Sequence, residues 1–433
     1  MGKSRLLIAA LAFAVAGPIA GSVRADEADA RKAARELNAL TGMDTVKGRL
    51  KEMLEEKGKG ARLVAEIAAL AKEKKVQLSY NAAYVLALTA GEDKDLSASE
   101  AFFRICMNAA AKLQSPQRLL ESYGGLIDVL YEAKKYPEAA NVCRELLELK
   151  TDDGKPRIVI RAFTNRFGEY DFIEDDAFDS AKRLRPGVHR LLIQAMAKQG
   201  KFDQALKLVD NLIKATDHWQ ERALRGWVLR EAGQYADAAK VYEEVINRVQ
   251  KDTDIDAEDR DQAEDRYRYI LSNVYVDMRQ IDKAAEQLQT LMKKKPDEPG
   301  YLNDLGYIWA DHEMKLEEAE KMIRRALELD AKRRKDDPEL KETENGAYLD
   351  SLGWVLFKQK RSKEALKELL KAVEDKAAQH IEIFDHLGDV YLSLGDRAKA
   401  LDAWRQGLKF VGEGRRELER KEIVERKIEK HSK

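Results

Sequence analysis

The strongest constraint in this chain is a period. Seven alanines each follow a short break in the helical pattern: Ala139 in YPEA, Ala205 in FDQA, Ala238 in YADA, Ala284 in IDKA, Ala319 in LEEA, Ala365 in SKEA and Ala400 in RAKA. Their successive spacings are 66, 33, 46, 35, 46 and 35 residues. The base step is therefore 33 to 35, the 66 is two steps, and each 46 is one step with an addition. Both additions are visibly polar: QKDTDIDAEDRDQAED near 250–265 and AKRRKDDPELKETEN near 331–345. A recurrence of this length marks stacked supersecondary units, none of which can bury its apolar face alone.

Each unit reads as two helices. An apolar helix with a small residue inside comes first: Gly226 in LRGWVL, Gly306 in LNDLGYIWA, Gly353 in LDSLGWVLF and Gly388 in FDHLGDVYL. A turn follows, and then an amphipathic helix such as AAKVYEEVI or ALKELLKAV. Two antiparallel helices need small residues where their axes come closest, and a glycine kept mid-helix costs about 1 kcal/mol of propensity. The chain has only 8 Pro and 25 Gly in 433 residues, which fits helices and disfavours an all-β sandwich.

These residues resemble the tetratricopeptide repeat (TPR) pattern: a bulky residue, Leu-Gly and Tyr on the first helix, then Ala, an apolar residue, Ala and a closing Pro on the second. The last unit matches best, with Phe384, Leu387, Gly388, Tyr391, Gly395, Ala400 and Trp404. The unit from about 219 has Gly226, Gly233, Tyr235, Ala238 and Tyr242; that from about 265 has Leu271, Tyr275, Ala284, Leu291 and Pro296. The unit from about 299 has Leu305, Gly306, Trp309, Ala319 and Ala326, and that from about 346 has Leu352, Gly353, Ala365 and Ala372. Gly407 replaces an expected Ala. The resemblance implies an all-α fold, a right-handed α-solenoid of antiparallel helix pairs with helical N- and C-terminal caps.

The expected organisation runs as follows. Residues 1–25 are a signal peptide and 26–77 a helical cap. Residues 78–185 hold degenerate repeats with an acidic insertion, of which 151–185 reads equally as a repeat or as an ordered insertion. The array occupies 186–414 with its insertions near 250–265 and 331–345, and 415–433 is a charged C-terminal helix. The signal has Lys3 and Arg5, then the apolar run Leu6–Ala16, a break at Gly17-Pro18, and Val23-Arg24-Ala25 before a cut ahead of Asp26. The run is too short to span a bilayer comfortably, and no other segment is apolar enough, so the mature chain is expected to have no transmembrane span and to work outside the cytoplasm, in a periplasm or its equivalent. Export places Cys106 and Cys143 in an oxidising compartment. Two readings stay open for them: buried small hydrophobes, which the apolar helical settings favour, or a disulfide.

No motif for catalysis stands out. HExxH, GxSxG, a Walker loop and CxxC are all missing, and no cofactor is indicated. The six histidines are scattered; His386 and Asp389 are i, i+3 neighbours with no third group to complete an acid–base site. Asp252, Asp254, Asp256 and Glu258 start like a calcium loop, but Ala257 and Ala263 stand where an EF-hand needs Gly and Glu. The 77 basic and 78 acidic side chains leave a formal charge of −1, which argues against nucleic acid.

The resemblance does offer a groove lined by first helices. Carried over unit by unit, its positions are Arg190 and Gln194, Trp227, Tyr269 and Asn273, Asn303 and Tyr307, Asp350 and Trp354, and Asp385 and Asp389. Trp227, Tyr307 and Trp354 are open to a second role, packing between units. The carboxylate clamp of cytosolic chaperone-binding relatives is missing, since only Arg190 is basic and the next unit offers Ala223 and Trp227. The acidic C-terminal part of the groove favours a basic protein or peptide segment as ligand. The expectation is thus an exported, non-catalytic protein-interaction scaffold, with self-association as one further mode. The competing reading is an envelope-assembly or metal-dependent enzyme subunit that uses the acidic insertions.

The register itself makes a prediction. Ala365→Leu should destabilise the fold by about 1–3 kcal/mol through overpacking, and a thermal melt that leaves the variant unchanged would refute the proposed helix pairing.

Overall fold

The computed structural model describes residues 27–55, 60–113, 115–148, 187–336, 344–376 and 378–432. The expected signal, the stretch 151–185 and residues 337–343 of the second polar addition lie outside these. All regular structure among the described residues is helical. The chain divides into two compact units, 1–201 and 202–433.

The first unit opens with α1 (Glu27–Ala39), α2 (Met43–Glu55) and α3 (Gly60–Lys72). Their buried Leu37, Leu50 and Ile67 give this region its own apolar centre. Two helix pairs follow: α4 (Tyr80–Glu92) with α5 (Leu96–Lys112), and α6 (Pro116–Glu132) with α7 (Tyr136–Glu148). Phe103 of α5 covers Gly125 of α6 so closely that no side chain would fit there. Residues 187–198 form α8. Cys106 and Cys143 are both buried and free, so the disulfide alternative does not hold. Burial pushes the Cys143 thiol up to about 12, and Cys106 moves the same way for the same reason.

The second unit starts with α9 (Phe202–Thr216) and continues as five pairs: α10 (Trp219–Glu231) and α11 (Tyr235–Lys251), α12 (Ala257–Asp277) and α13 (Ile281–Lys294), α14 (Pro299–Asp311) and α15 (Leu316–Asp336), α16 (Gly346–Lys358) and α17 (Ser362–Ala372), α18 (Ile381–Ser393) and α19 (Arg397–Gly407). A single 3-10 turn and the linker 411–414 lead to α20 (Arg415–Ser432).

Every aligned alanine is fully buried, from Ala139 to Ala400. Where the first helix carries a glycine, the close approach is direct. A Cβ on Gly306 would lie 2.9 Å from the Ala319 carbonyl oxygen and 2.7 Å from Ile323 Cγ1. A Cβ on Gly353 would lie 2.6 Å from Leu369 Cγ, and one on Gly388 would overlap the Trp404 indole. Backbones this close leave room for one large residue from the opposite helix, and Trp404 and Tyr242 fill that room. Between pairs the core is continuous. Leu288, Leu305, Trp309, Ile323, Leu352, Val355, Leu369 and Leu387 belong to one cluster running from α13 to α18.

The polar addition at 250–265 is mostly helix rather than a loop. α11 has 17 residues and α12 has 21, so the longer step comes from helices extended past the stack. Its carboxylates are used locally. Asp252 accepts a bond from Trp219 Nε1 (2.7 Å) and one from the Asp254 amide (2.9 Å), and Asp256 caps α12 through the Asp259 amide (2.8 Å). The second addition likewise begins as helix, since α15 is 21 residues long and ends at Asp336.

The turns share one geometry. A residue with positive φ ends the first helix: Lys94, Lys134, Gly200, Gly233, Arg279, Glu313, Lys360 and Gly395. In the α16–α17 turn the Lys360 amide bonds to Phe357 O and the Arg361 amide to Leu356 O, the paired closure of a Schellman motif. A side chain in this backbone region costs about 1–2 kcal/mol, which glycine avoids at some entropic expense. Lys360→Gly should therefore raise stability by about 0.5–1 kcal/mol, read as a higher urea midpoint at unchanged slope. A lower midpoint would show that Lys360 makes a contact worth more than its strain.

Candidate functional site

The expected groove residues sit on first helices, but few are open. Arg190 and Gln194 lie half-buried on α8, in the first unit. The others belong to the second. Trp227 is half-buried on α10. Tyr269 is the most exposed, at 37%, and donates to Asp304 Oδ2 at 2.6 Å. Asn273, one turn on, donates to the Tyr269 carbonyl at 3.1 Å. Asn303 is buried and donates to Asp304 Oδ1 at 3.2 Å. Asp304 itself is raised above the usual carboxylate range by burial, which outweighs the bonds from Tyr269 and Asn303.

Further along, the structure corrects the picture of an open acidic face. Asp350, Trp354 and Asp385 are buried, as Asn303 is, and Tyr307 is nearly so. They are held by one another. Trp354 donates from Nε1 to Asp311 (3.0 Å), and its ring stacks on His386 with centroids 3.9 Å apart. His386 is fully buried, and its Nδ1 lies 2.9 Å from Asp350 Oδ1. Its bond goes to Asp350 of the preceding pair, not to Asp389 three residues on. Tyr307 donates to Glu382 Oε1 at 2.8 Å. The physical reason for the burial is the stack: the first helices of α14, α16 and α18 face one another, so one side serves both as lining and as contact between pairs.

Charge is balanced tightly here. Burial pulls the His386 pKa down, but the charge and hydrogen bond of Asp350 and the charge of Glu382 outweigh it, leaving the imidazole above its ordinary value. Burial likewise works to raise Glu382, yet His386, Arg420 and the Tyr307 hydroxyl bring it below the usual range. Asp389 goes the other way: burial and the neighbouring Asp385 raise it against the opposing pull of Lys427.

Two of these cations come from α20, and this is what the sequence reading missed. Arg420 Nη1 bonds Asp385 Oδ2 at 3.1 Å and Arg420 Nη2 bonds Glu382 Oε1 at 2.5 Å. Lys427 Nζ bonds Asp385 Oδ1 at 2.5 Å and both Asp389 oxygens at 2.7 Å. Nearer its start, Arg416 reaches Asp277, 139 residues earlier, at 2.5 Å, and donates to the Asn273 carbonyl at 2.7 Å. Arg415 covers Gly233 and stands over the Tyr235 ring. One helix of 18 residues, about 27 Å long, thus touches the first helices α12 and α18 and the α10–α11 turn. It can do so only if those first-helix faces turn toward each other. They form an inner face, and the charged tail expected as an end cap lies across it. The signal was available: Arg416, Arg420, Val424 and Lys427 are spaced 4, 4 and 3, one side of a helix.

Comparison with known proteins finds the same kind of repeat in the sequence. Residues 191–254 and 269–334 match the family described as tetratricopeptide repeat. A TPR repeat-containing protein of Pseudomonas aeruginosa is 31% identical over 122 residues, covering 28% of this chain and 18% of that protein. The chain thus matches under a fifth of that relative's length. Among solved structures, a thermophilic TPR protein of Thermus thermophilus is 18% identical, covering 48% of this chain and 98% of its own, with a TM-score of 0.36. A tetratricopeptide repeat protein from Parabacteroides merdae is 10% identical, covering 67% and 98%, with a TM-score of 0.44.

The buried imidazole predicts a pH signature. A pKa raised on folding contributes stability that is fully present below the unfolded value, near 6.5, and is lost as pH rises through the folded one. Wild type should therefore lose stability relative to His386→Gln as pH rises above about 6.5, by at most about 1.4 kcal/mol per pH unit. Paired urea melts across that range check it; a difference independent of pH would mean His386 is held neutral throughout.

Proposed function

We propose that this chain, which carries tetratricopeptide repeats, is an exported, non-catalytic scaffold that takes a basic segment of a partner protein on the inner face of its second unit. The observation that carries this is α20 itself. A helix bearing Arg416, Arg420 and Lys427 already lies on that face, each cation against carboxylates of the first helices. Charged groups placed this way select the sign and spacing of what binds. The repeats supply a curved surface of first helices, and the side chains named above have structural duties rather than the mutual geometry of a nucleophile and its base.

Export is part of the same reading and rests on the first 25 residues, with their basic start, apolar run and short-residue cut site. Among the described residues no helix is long and apolar enough to cross a membrane.

Two measurements test this. N-terminal sequencing of the protein from its natural host should begin at Asp26. A photo-crosslinking amino acid at Tyr269, at the edge of the inner face, should form protein adducts in living cells, whereas one at Lys240 on the exposed side of α11 should not. Adducts from Lys240 alone would place the working surface elsewhere.

A further inference from the structure

We infer that α20 is a displaceable plug: it occupies the inner face as a stand-in for a partner's basic amphipathic helix, and binding of that helix is an exchange. This rests on the inner face being the working surface.

Four features carry the inference. The first is the pattern of charge. The receptor side supplies Asp277, Glu382, Asp385 and Asp389, and α20 supplies Arg416, Arg420 and Lys427. Three of the four carboxylates are set deeper than the cations that reach them: the Asp385, Asp277 and Asp389 side chains are 0%, 5% and 21% exposed, against 26% for Lys427 and 47% for Arg416, whereas Glu382 at 31% is more open than Arg420 at 24%. The site therefore belongs to the repeats, and the cations reach in from outside.

The second is what departure would leave. Without Arg420 and Lys427, Glu382, Asp385 and Asp389 would sit together on α18 without their two full cations, leaving Glu382 with Tyr307, His386 and His380 as neighbours. Like charges held close repel and resist ionisation. A second basic helix removes that repulsion, so replacement is favoured over an empty face.

The third is how lightly α20 is fixed by apolar contact. Val424 is its one fully buried residue, resting with the half-buried Ile428 on the cluster of Ile381, Ala400 and Trp404. Leu418 and Ile423 remain well exposed. Affinity then lies mostly in ion pairs, which salt weakens and which a competitor of the same pattern reproduces.

The fourth is the tether. α20 follows the 3-10 turn Leu408–Phe410 through only Val411, Gly412, Glu413 and Gly414. Gly412 lies against the Glu417 carboxylate, and the Gly414 amide donates to the same carboxylate. Such a short link makes the cis helix an intramolecular competitor at high effective concentration. A partner therefore needs the same charges in the same places: basic residues at i, i+4 and i+11, with an aliphatic residue at i+8.

The test uses the full mature chain and a fluorescent peptide of residues 411–433 as the probe. In one variant Arg416→Glu, Arg420→Glu and Lys427→Glu together repel the chain's own tail while the receptor carboxylates stay intact. Hydrogen exchange should show 415–432 unprotected and the repeats still protected. The peptide should then bind this variant at least about tenfold more tightly than wild type, with affinity falling steeply with salt. A peptide carrying the same three reversals should not bind. In a second form, a protease site in the 411–414 linker is cut after folding. Every latch contact remains, and only the tether is lost; the labelled peptide should then exchange in. Equal affinity for wild type and variant would overturn the plug while leaving the inner face as a binding surface. No binding to a variant with a freed tail, and no exchange after the cut, would overturn both.

Discussion

Everything in the second unit depends on how closely two backbones approach within a helix pair. At Gly306 the facing carbonyl of Ala319 leaves no space for a single added carbon. That contact fixes the pair, and the pair fixes the rest. With one helix face sealed against its partner, the remaining apolar side chains can be buried only by the next pair. The cluster from Leu288 to Leu387 is the result. Repetition of one local geometry sets the first helices of successive pairs against one another. The inner face follows from a buried alanine recurring at each repeat, opposite a glycine in four of the first helices, Gly226, Gly306, Gly353 and Gly388.

Much of this was legible in the sequence, because packing at small residues leaves a periodic trace. The aligned alanines and Gly226, Gly306, Gly353 and Gly388 located the close approaches, and the all-α solenoid followed. The polar additions were less legible. A run such as DAEDRDQAED looks like a solvated loop by composition, yet it forms the first turns of α12, since acidic residues suit a helix N-terminus and Asp256 caps it. Period alone cannot separate a longer helix from a longer loop.

The candidate site was half legible, for a different reason. First-helix positions could be named, but exposure could not, because it depends on neighbours in other repeats and in α20, 35 to 43 residues away at Asp350, Trp354 and Asp385. Tyr269 stayed accessible, while Asp350, Trp354 and Asp385 were closed off by the next pair and by α20. The acidic lean of the face and the basic stripe of the tail were both visible in the chain. Neither shows by itself that the two meet, since the contact between Arg416 and Asp277 spans 139 residues. Long-range charge pairs leave no period to read.

The buried charges also tie the working face to the stability of the array. Glu382 accepts bonds from Tyr307 of α14 and Arg420 of α20, and it lies close enough to His386 for the imidazolium to hold its pKa down. His386 in turn bonds Asp350 of α16 and stacks on Trp354. Three first helices and the tail therefore share one electrostatic cluster. A charge leaving that cluster changes the balance for every member, because buried partners are poorly screened. What occupies the inner face is thus sensed two pairs back along the array. A cationic helix docked there does more than satisfy Asp385: it sets the charge state in which α14, α16 and α18 are held together. Docking of α20 and cohesion of the first helices use the same carboxylates.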